Sequence, residues 1–249
     1  MIPKILHYCW FGKGDKPASF NACLESWEKY CPEFEIKEWN ETNAPNKNQS
    51  FYKNALRKKK YAFVADYIRM KVLYEFGGIY LDTDMLLLKP IDDLLKNNFF
   101  IGEEVQGRVA YGLFGATRSH RFFEQTLNYY ENTEFNEFSL PIITQIFESI
   151  INNTNLFENE LIYEPNYFYP LIYENRNENY DKFIVECSYA VHLWDHSWKE
   201  DKKIGFLFYI SGIRKVLIDY VFYGYSKAYF IRYARGFSRQ IYYLLKDKV

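Results

Sequence analysis

The pair Asp82 and Asp84, in the stretch YEFGGIYLDTDMLLLKP at 74–90, sets two carboxylates one residue apart where an apolar run should continue as a buried strand. Side chains of a strand alternate faces, so the two acids would point the same way and Thr83 the other. At the carboxyl end of a parallel strand they could hold a hard divalent cation, Mg2+ or Mn2+, which takes a few protein oxygens and leaves room for phosphate oxygens. The partner expected for such an ion is a nucleotide diphosphate, whose departing charge it would neutralise as a Lewis acid. The alternative is that the acids simply end a strand at the surface, because an isolated D-x-D is weak evidence. Upstream, Asp66 and Arg69 lie three apart on a helical pattern and so share a face. They could grip one ligand jointly or form an ordinary intrahelical ion pair.

The elements that must position these residues follow from periodicity. IPKILHYCWFG reads as a first strand over about residues 3–9, closing on a loop that carries Trp10 and Gly12. PASFNACLESWEKYC opens on Pro17 and spaces Phe20, Leu24, Trp27 and Cys31 as a helix, and FEIKEW alternates as a second strand. Such a β-α-β opening favours a parallel sheet under helices, with ligands at the carboxyl ends of the strands. After a loop and short helix at 43–60, YAFVADYIRMKVLYEFGG places Tyr61, Ala65, Ile68, Val72 and Phe76 on one helical face. Gly77 suits a left-handed helix end, and Gly78 lets the chain turn at once into the strand that carries the acids. Further strands are expected at FFIGEE and VAYGLFGA, helices at SHRFFEQTLNYYEN and SLPIITQIFESIIN, and a late strand within KFIVECSYAVHLW. Pro165 and Pro170 punctuate an irregular stretch at 163–180, readable as a subdomain over the sheet or as a flexible acceptor-side loop.

A chain of 249 residues can bury one substantial core, and a net charge of −1 with 25% charged residues gives no overall attraction to nucleic acid. Aromatics at 20% fit a site that stacks on sugar or base, or a residue bias without function. Cys9, Cys23, Cys31 and Cys187 form no C-x-x-C pair and stand in apolar surroundings, so four buried reduced thiols and a cytoplasmic address are expected. The first residues hold too short an apolar run for a signal peptide, and no stretch of roughly 18 uncharged apolar residues offers a membrane span. Charge is uneven: residues 204–249 carry eight Lys/Arg against two Asp/Glu, and the preceding 203 residues sum to −7. A catalytic region at 1–203 and a basic aromatic helical tail at 204–249 are therefore expected. In that tail Arg214, Lys215 and Asp219 interrupt any span. Ile213, Val216, Leu217 and Tyr220 form one apolar face and Tyr229, Tyr233, Phe237 and Ile241 another, with Arg232, Arg235 and Arg239 off the second stripe. Two readings fit: helices lying on an anionic membrane, or a hairpin packed on the catalytic domain.

The run ADYIRMKVLYEFGGIYLDTDM, with IPKILHYCWFG at the start and HLWDHSW at 192–198, resembles glycosyltransferase family 32 over roughly residues 2–200. That family joins bacterial capsular-polysaccharide and cell-surface sugar transferases, the Golgi initiating mannosyltransferase of yeasts and, more distantly, the clostridial glucosylating toxins. The resemblance implies an α/β GT-A fold, a Rossmann-like nucleotide half joined to an acceptor-side subdomain. It implies a nucleotide-sugar donor, expected to be a UDP-hexose, used with Mn2+ or Mg2+. It implies direct metal binding by Asp84, support of the metal and of ribose and sugar hydroxyls by Asp82, and a grip on donor sugar and phosphate by Asp66 and Arg69. Tyr80 would line the same pocket and Trp10 would stack on the base. From the late motif, His192 would complete the metal shell or donate to phosphate, and Ser197 and Trp198 would donate over the diphosphate. His196 matches less well, and His7 is expected to be structural.

Ser139, Leu140 and Pro141 depart from a Thr-Gly-Pro element of many relatives, so no acceptor role is carried over there. Glu103 and Glu104 could approach an acceptor but are expected to be an exposed acidic pair. No general base or covalent nucleophile is evident, whereas the family retains anomeric configuration, which is compatible with the leaving phosphate deprotonating the acceptor. The resulting expectation is a metal-dependent retaining hexosyltransferase acting on a surface-polysaccharide or lipid-linked glycan, in the cytoplasm or peripheral at the inner face of the cell membrane. A toxin-like protein glycosyltransferase and a non-catalytic nucleotide-sugar binder are the alternatives.

Overall fold

The computed structural model describes residues 1–133, 135, 143–195, 206–222 and 227–246. In chain order the elements are β1 (Ile5–Cys9), α1 (Ala18–Tyr30), β2 (Glu35–Trp39), α2 (Ser50–Arg57), α3 (Tyr61–Phe76), β3 (Gly78–Leu81) and β4 (Met85–Leu87). There follow β5 (Phe99–Val105), β6 (Arg108–Ala116), α4 (Arg121–Glu131), α5 (Ile143–Asn152), β7 (Glu160–Tyr163), α6 (Pro165–Phe168), β8 (Ala190–His192), α7 (Phe206–Phe222) and α8 (Lys227–Lys246). The described residues fall into two compact units, one of Met1–Thr133 with 143–195, the other containing α7 and α8.

The first unit is the α/β architecture expected, but its sheet is mixed rather than parallel. Six strands run in the order β2-β1-β3-β6-β5-β7. β1 pairs in parallel with both β2 and β3, as a β-α-β opening requires. β6 then runs antiparallel to β3 and to β5. The reason is local: β5 and β6 are joined by Gln106-Gly107 alone, with Gly107 at φ 79°, and a two-residue turn can connect only antiparallel strands.

Alternation along the strands splits the core into two layers. Leu6, Tyr8, Ile79 and Leu81 pack with Phe20, Cys23 and Trp27 of α1. Tyr80, Phe99 and Phe114 belong to an aromatic cluster with Phe123 and Phe147 from the helical layer. α3 differs from its expected single apolar face, since Val64, Tyr67, Ile68, Arg69, Met70, Val72 and Leu73 are all buried whereas Phe76 is exposed. It is a central helix covered nearly all round, which is why a charged residue inside it must find partners.

Two local expectations need correction. Cys9, Cys23 and Cys31 are buried but Cys187 is half-exposed. Glu103 and Glu104 are partly buried, not an exposed pair, and Glu104 takes the Arg108 Nε at 2.5 Å.

The second unit holds an α-helical hairpin. Phe206 meets Phe237 at 5.6 Å between ring centroids, Tyr209 meets Tyr233 at 5.3 Å, and Tyr220 meets Phe230 at 4.8 Å. Gly236 allows this approach, because a Cβ there would lie 2.3 Å from the Tyr209 hydroxyl.

Candidate active site

The two acids converge, though by a different route from strand alternation. β3 ends at Leu81, and Asp82-Thr83-Asp84 form a turn in which the Met85 amide donates to the Asp82 carbonyl at 3.0 Å. Here the chain leaves the six-stranded sheet, and β4 pairs antiparallel with β8 in a separate two-stranded sheet. α1 pins this departure: Trp27 Nε1 donates to the Met85 carbonyl at 2.8 Å and Ser26 Oγ accepts the Leu87 amide at 3.0 Å. The β4–β8 register sets His192 opposite Met85, beside Asp84. One ligand atom from each of Asp82, Asp84 and His192 lies within 4.8 Å of the other two.

Each member of the trio is held. His192 Nε2 is 3.0 Å from Asp84 Oδ2, and the Asp195 amide donates to the same oxygen at 2.9 Å. Trp194, at φ 58°, makes the reversal between them; its indole N–H donates to the Leu171 carbonyl at 2.8 Å and its ring stands 4.1 Å from that of His192. The Asp195 carboxylate in turn accepts from the Ser19 hydroxyl of α1. On the other side, Arg69 reaches across from α3. Its Nη1 is 3.3 Å from Asp82 Oδ1 and donates to the Tyr111 carbonyl at 2.8 Å, while Nη2 is 3.4 Å from Asp66 Oδ1. Arg69 thus makes both the intrahelical pair and a link to the acid turn. Tyr80 donates its hydroxyl to Asp82 Oδ1 at 3.1 Å and lies under the guanidinium, 4.5 Å from ring centre to Cζ.

Burial opposes charge throughout. It pushes the Asp66 carboxyl up to about 6 although Arg69 pulls the other way, and raises Asp82 above the usual carboxylate range against the same guanidinium. Burial also works against the Arg69 cation, but Asp82, Tyr80 and Asp66 outweigh it and keep Arg69 charged. His192, disfavoured as an imidazolium by burial, is carried above its ordinary value by Asp84. Among the described residues, two buried nitrogens here have no hydrogen-bond partner, Arg69 Nε and His192 Nδ1. Two carboxylates, Asp84 buried and Asp82 half-exposed, an imidazole with an orphaned nitrogen and a guanidinium with a spare donor fit a cation and an anion bound together.

Tyr169, Trp194 and Asp195 belong to this site without having been singled out in the sequence. Asp195 acts at Asp84 through its backbone amide, which residue type does not reveal. Tyr169 is one of five tyrosines in an irregular stretch, and nothing local marks it. Trp10 lies just past β1, half-buried rather than in the core, with its indole N–H donating to the Gly14 carbonyl at 2.8 Å. His7 is structural, fully buried between Trp39 and the Gly77 carbonyl. His196, Ser197, Trp198 and the segment Ser139-Leu140-Pro141 lie outside the described residues.

Residues 17–101 match the model of the glycosyltransferase sugar-binding region containing DXD motif. That region contains Asp66, Arg69, Tyr80, Asp82 and Asp84, and leaves out Trp10 and His192. The human alpha-1,4-N-acetylglucosaminyltransferase is 25% identical over 157 residues, 56% of this chain and 44% of that protein. The rat lactosylceramide 4-alpha-galactosyltransferase is 27% identical over 150 residues, 53% of this chain and 40% of that one. A glycosyltransferase of Acanthamoeba polyphaga mimivirus, L373, described as uncharacterized, is 25% identical over 229 residues, 84% of this chain and 88% of its own length. The chain spans less than half the length of the first two relatives. The matched region and these relatives support a transferase of the DXD glycosyltransferase superfamily.

Proposed function

We propose that this chain is a metal-dependent, retaining GT-A hexosyltransferase that takes its sugar from a nucleotide donor, a UDP-hexose in our reading, and passes it to a surface-polysaccharide or lipid-linked glycan. The observation that carries the reading is the convergence of Asp82, Asp84 and His192 at the point where the chain changes sheets, with Arg69 alongside. In this reading residues 1–203 are the catalytic region and 204–249 a separate tail.

Asp84 and His192 would be direct ligands of the ion and Asp82 a third, kept in place by Arg69 and Tyr80. An imidazole beside two carboxylates suits Mn2+ better than Mg2+, which favours oxygen alone. When bound, the ion supplies Lewis-acid stabilisation of the departing diphosphate. Arg69 keeps a fixed positive charge beside that position, and its unpartnered Nε is a donor for phosphate or sugar oxygen. Asp66 orients the guanidinium and accepts from sugar hydroxyls. The half-exposed Trp10 offers a ring for the base, fixed at its edge by Gly14. Ser197 and Trp198 would donate to the diphosphate.

The test is hydrolysis and transfer of nucleotide sugars with and without Mn2+, in the wild type and in Asp84→Asn. Loss of a metal ligand should cut turnover at least about a hundredfold, since Lewis-acid stabilisation is worth several kcal/mol. Equal activity of that variant, or full activity of the wild type in excess chelator, would sink the metal assignment. Metal-dependent UDP binding without turnover of any donor would instead point to a nucleotide-sugar binder.

A further inference from the structure

The hairpin of α7 and α8 has more apolar surface than it uses. Its aromatic seam, Phe206, Tyr209 and Tyr220 against Phe230, Tyr233 and Phe237, already gives the two helices a shared core. Large aliphatic side chains remain outside that seam. On α7, Leu207 is 80% exposed and Val221 64%, and with Ile210 and Leu217 they fall within about a third of the helix circumference. On α8, Leu245 is 63% exposed and shares a similarly narrow stripe with Tyr242.

Charge decides what covers these stripes. Arg235, Arg239 and Lys246 line one edge of the α8 stripe, Arg214 sits within that of α7, and all four are exposed. The sequence from 204 to 249 has a balance of +6. A second copy of the chain packed stripe to stripe would bring these cations together, and a nucleic acid would leave the aliphatics uncovered. An anionic bilayer satisfies both features at once, with apolar side chains at the acyl boundary and cations at the headgroups. No described helix is long and apolar enough to cross a membrane, so the helices would lie in its plane. We propose that the outer stripes of the α7–α8 hairpin dock the chain on a membrane surface rich in anionic lipid.

This does not depend on the catalytic reading, because the experiment measures binding alone. The full chain is sedimented with vesicles of phosphatidylcholine containing phosphatidylglycerol, at low and high salt. Binding is expected at low salt and should fall at least tenfold at high salt. Leu207→Glu with Leu245→Glu should abolish it, and Arg235→Glu with Arg239→Glu should weaken it on the order of twentyfold or more. Unchanged melting temperatures of these surface variants would show that folding is intact, and a shared loss of melting would be met by the milder Leu207→Ser with Leu245→Ser. The proposal is overturned if the wild type stays in the supernatant, if it binds pure phosphatidylcholine equally well, or if the glutamate variants bind as the wild type does. It is also overturned if the wild type is a dimer that Leu207→Glu converts to monomer while leaving vesicle binding unchanged.

Discussion

Tyr169 sits beneath the acid turn where β6 has more backbone donors than its neighbours can accept. Between the pairs Ile101↔Phe114 and Gly102↔Ala110 the register of β5 and β6 shifts, and Tyr111–Leu113 bulge out of the ladder. Such a bulge frees backbone groups, and four backbone groups of this stretch have other partners. The Tyr111 carbonyl accepts from Arg69, the Gly112 carbonyl accepts the Asp82 amide at 2.7 Å, and the Gly112 and Leu113 amides both donate to the Tyr169 hydroxyl at 3.0 Å. Gly112 leaves little spare room, since a Cβ there would lie 3.1 Å from that hydroxyl and 3.2 Å from Met85 Sδ. Tyr169→Phe would leave two buried amides without an acceptor, at about 1–3 kcal/mol each. Urea unfolding should therefore show a loss of about 2–6 kcal/mol; a change within a few tenths would mean that water takes the place of the hydroxyl.

At the scale of elements, the junction of α3 and β3 governs where both halves of the site stand, because Arg69 lies on one and Tyr80 on the other. The Gly77-Gly78 pair that makes it was legible, as only glycine readily follows an apolar helix with two positive φ values, here 67° and 101°. A Cβ at Gly78 would lie 2.7 Å from the Ile5 carbonyl and 2.9 Å from His7 Nε2. Gly78→Ala should cost at least about 1–3 kcal/mol from backbone strain alone. Circular dichroism melting can check this, and a variant as stable as the wild type would show that the junction can relax. The turn at Asp82–Asp84 was not legible in the same way, since the apolar pattern runs through it from β3 into β4. What breaks the strand is the pairing of β4 with β8, a partner far along the chain. The mixed sheet did leave a sign: Gln106-Gly107 between two apolar runs is a hairpin signal. His192 was singled out only through the resemblance carried by the late motif HLWDHSW, and the pairing of β4 with β8 sets it beside Asp84.

Stability of the whole molecule should carry a pH signature written by His7. Trp39 Nε1 donates to His7 Nδ1 at 3.0 Å, so the ring proton must sit on Nε2, which donates to the Gly77 carbonyl at 2.8 Å. A second proton on Nδ1 would face the indole N–H. Burial, with Lys37 adding to it and Glu35 opposing, accordingly pushes the His7 pKa down from 6.5 to about 4. The unfolded chain therefore binds more protons than the native one between those values, and the native state loses stability as pH falls from about 6.5 to about 4. The loss attributable to His7 approaches about 3 kcal/mol at the lower end. Asp66, raised to about 6 by burial, acts with the opposite sign over part of this window, so the contribution of His7 has to be isolated by substitution. His7→Gln keeps a donor and an acceptor in the same place without a titrating ring. Urea unfolding of both proteins from pH 7 to pH 4 should show the wild type losing ground to the variant as pH drops. A difference that stays constant across the range would mean that the native His7 takes up its proton as readily as the unfolded chain does.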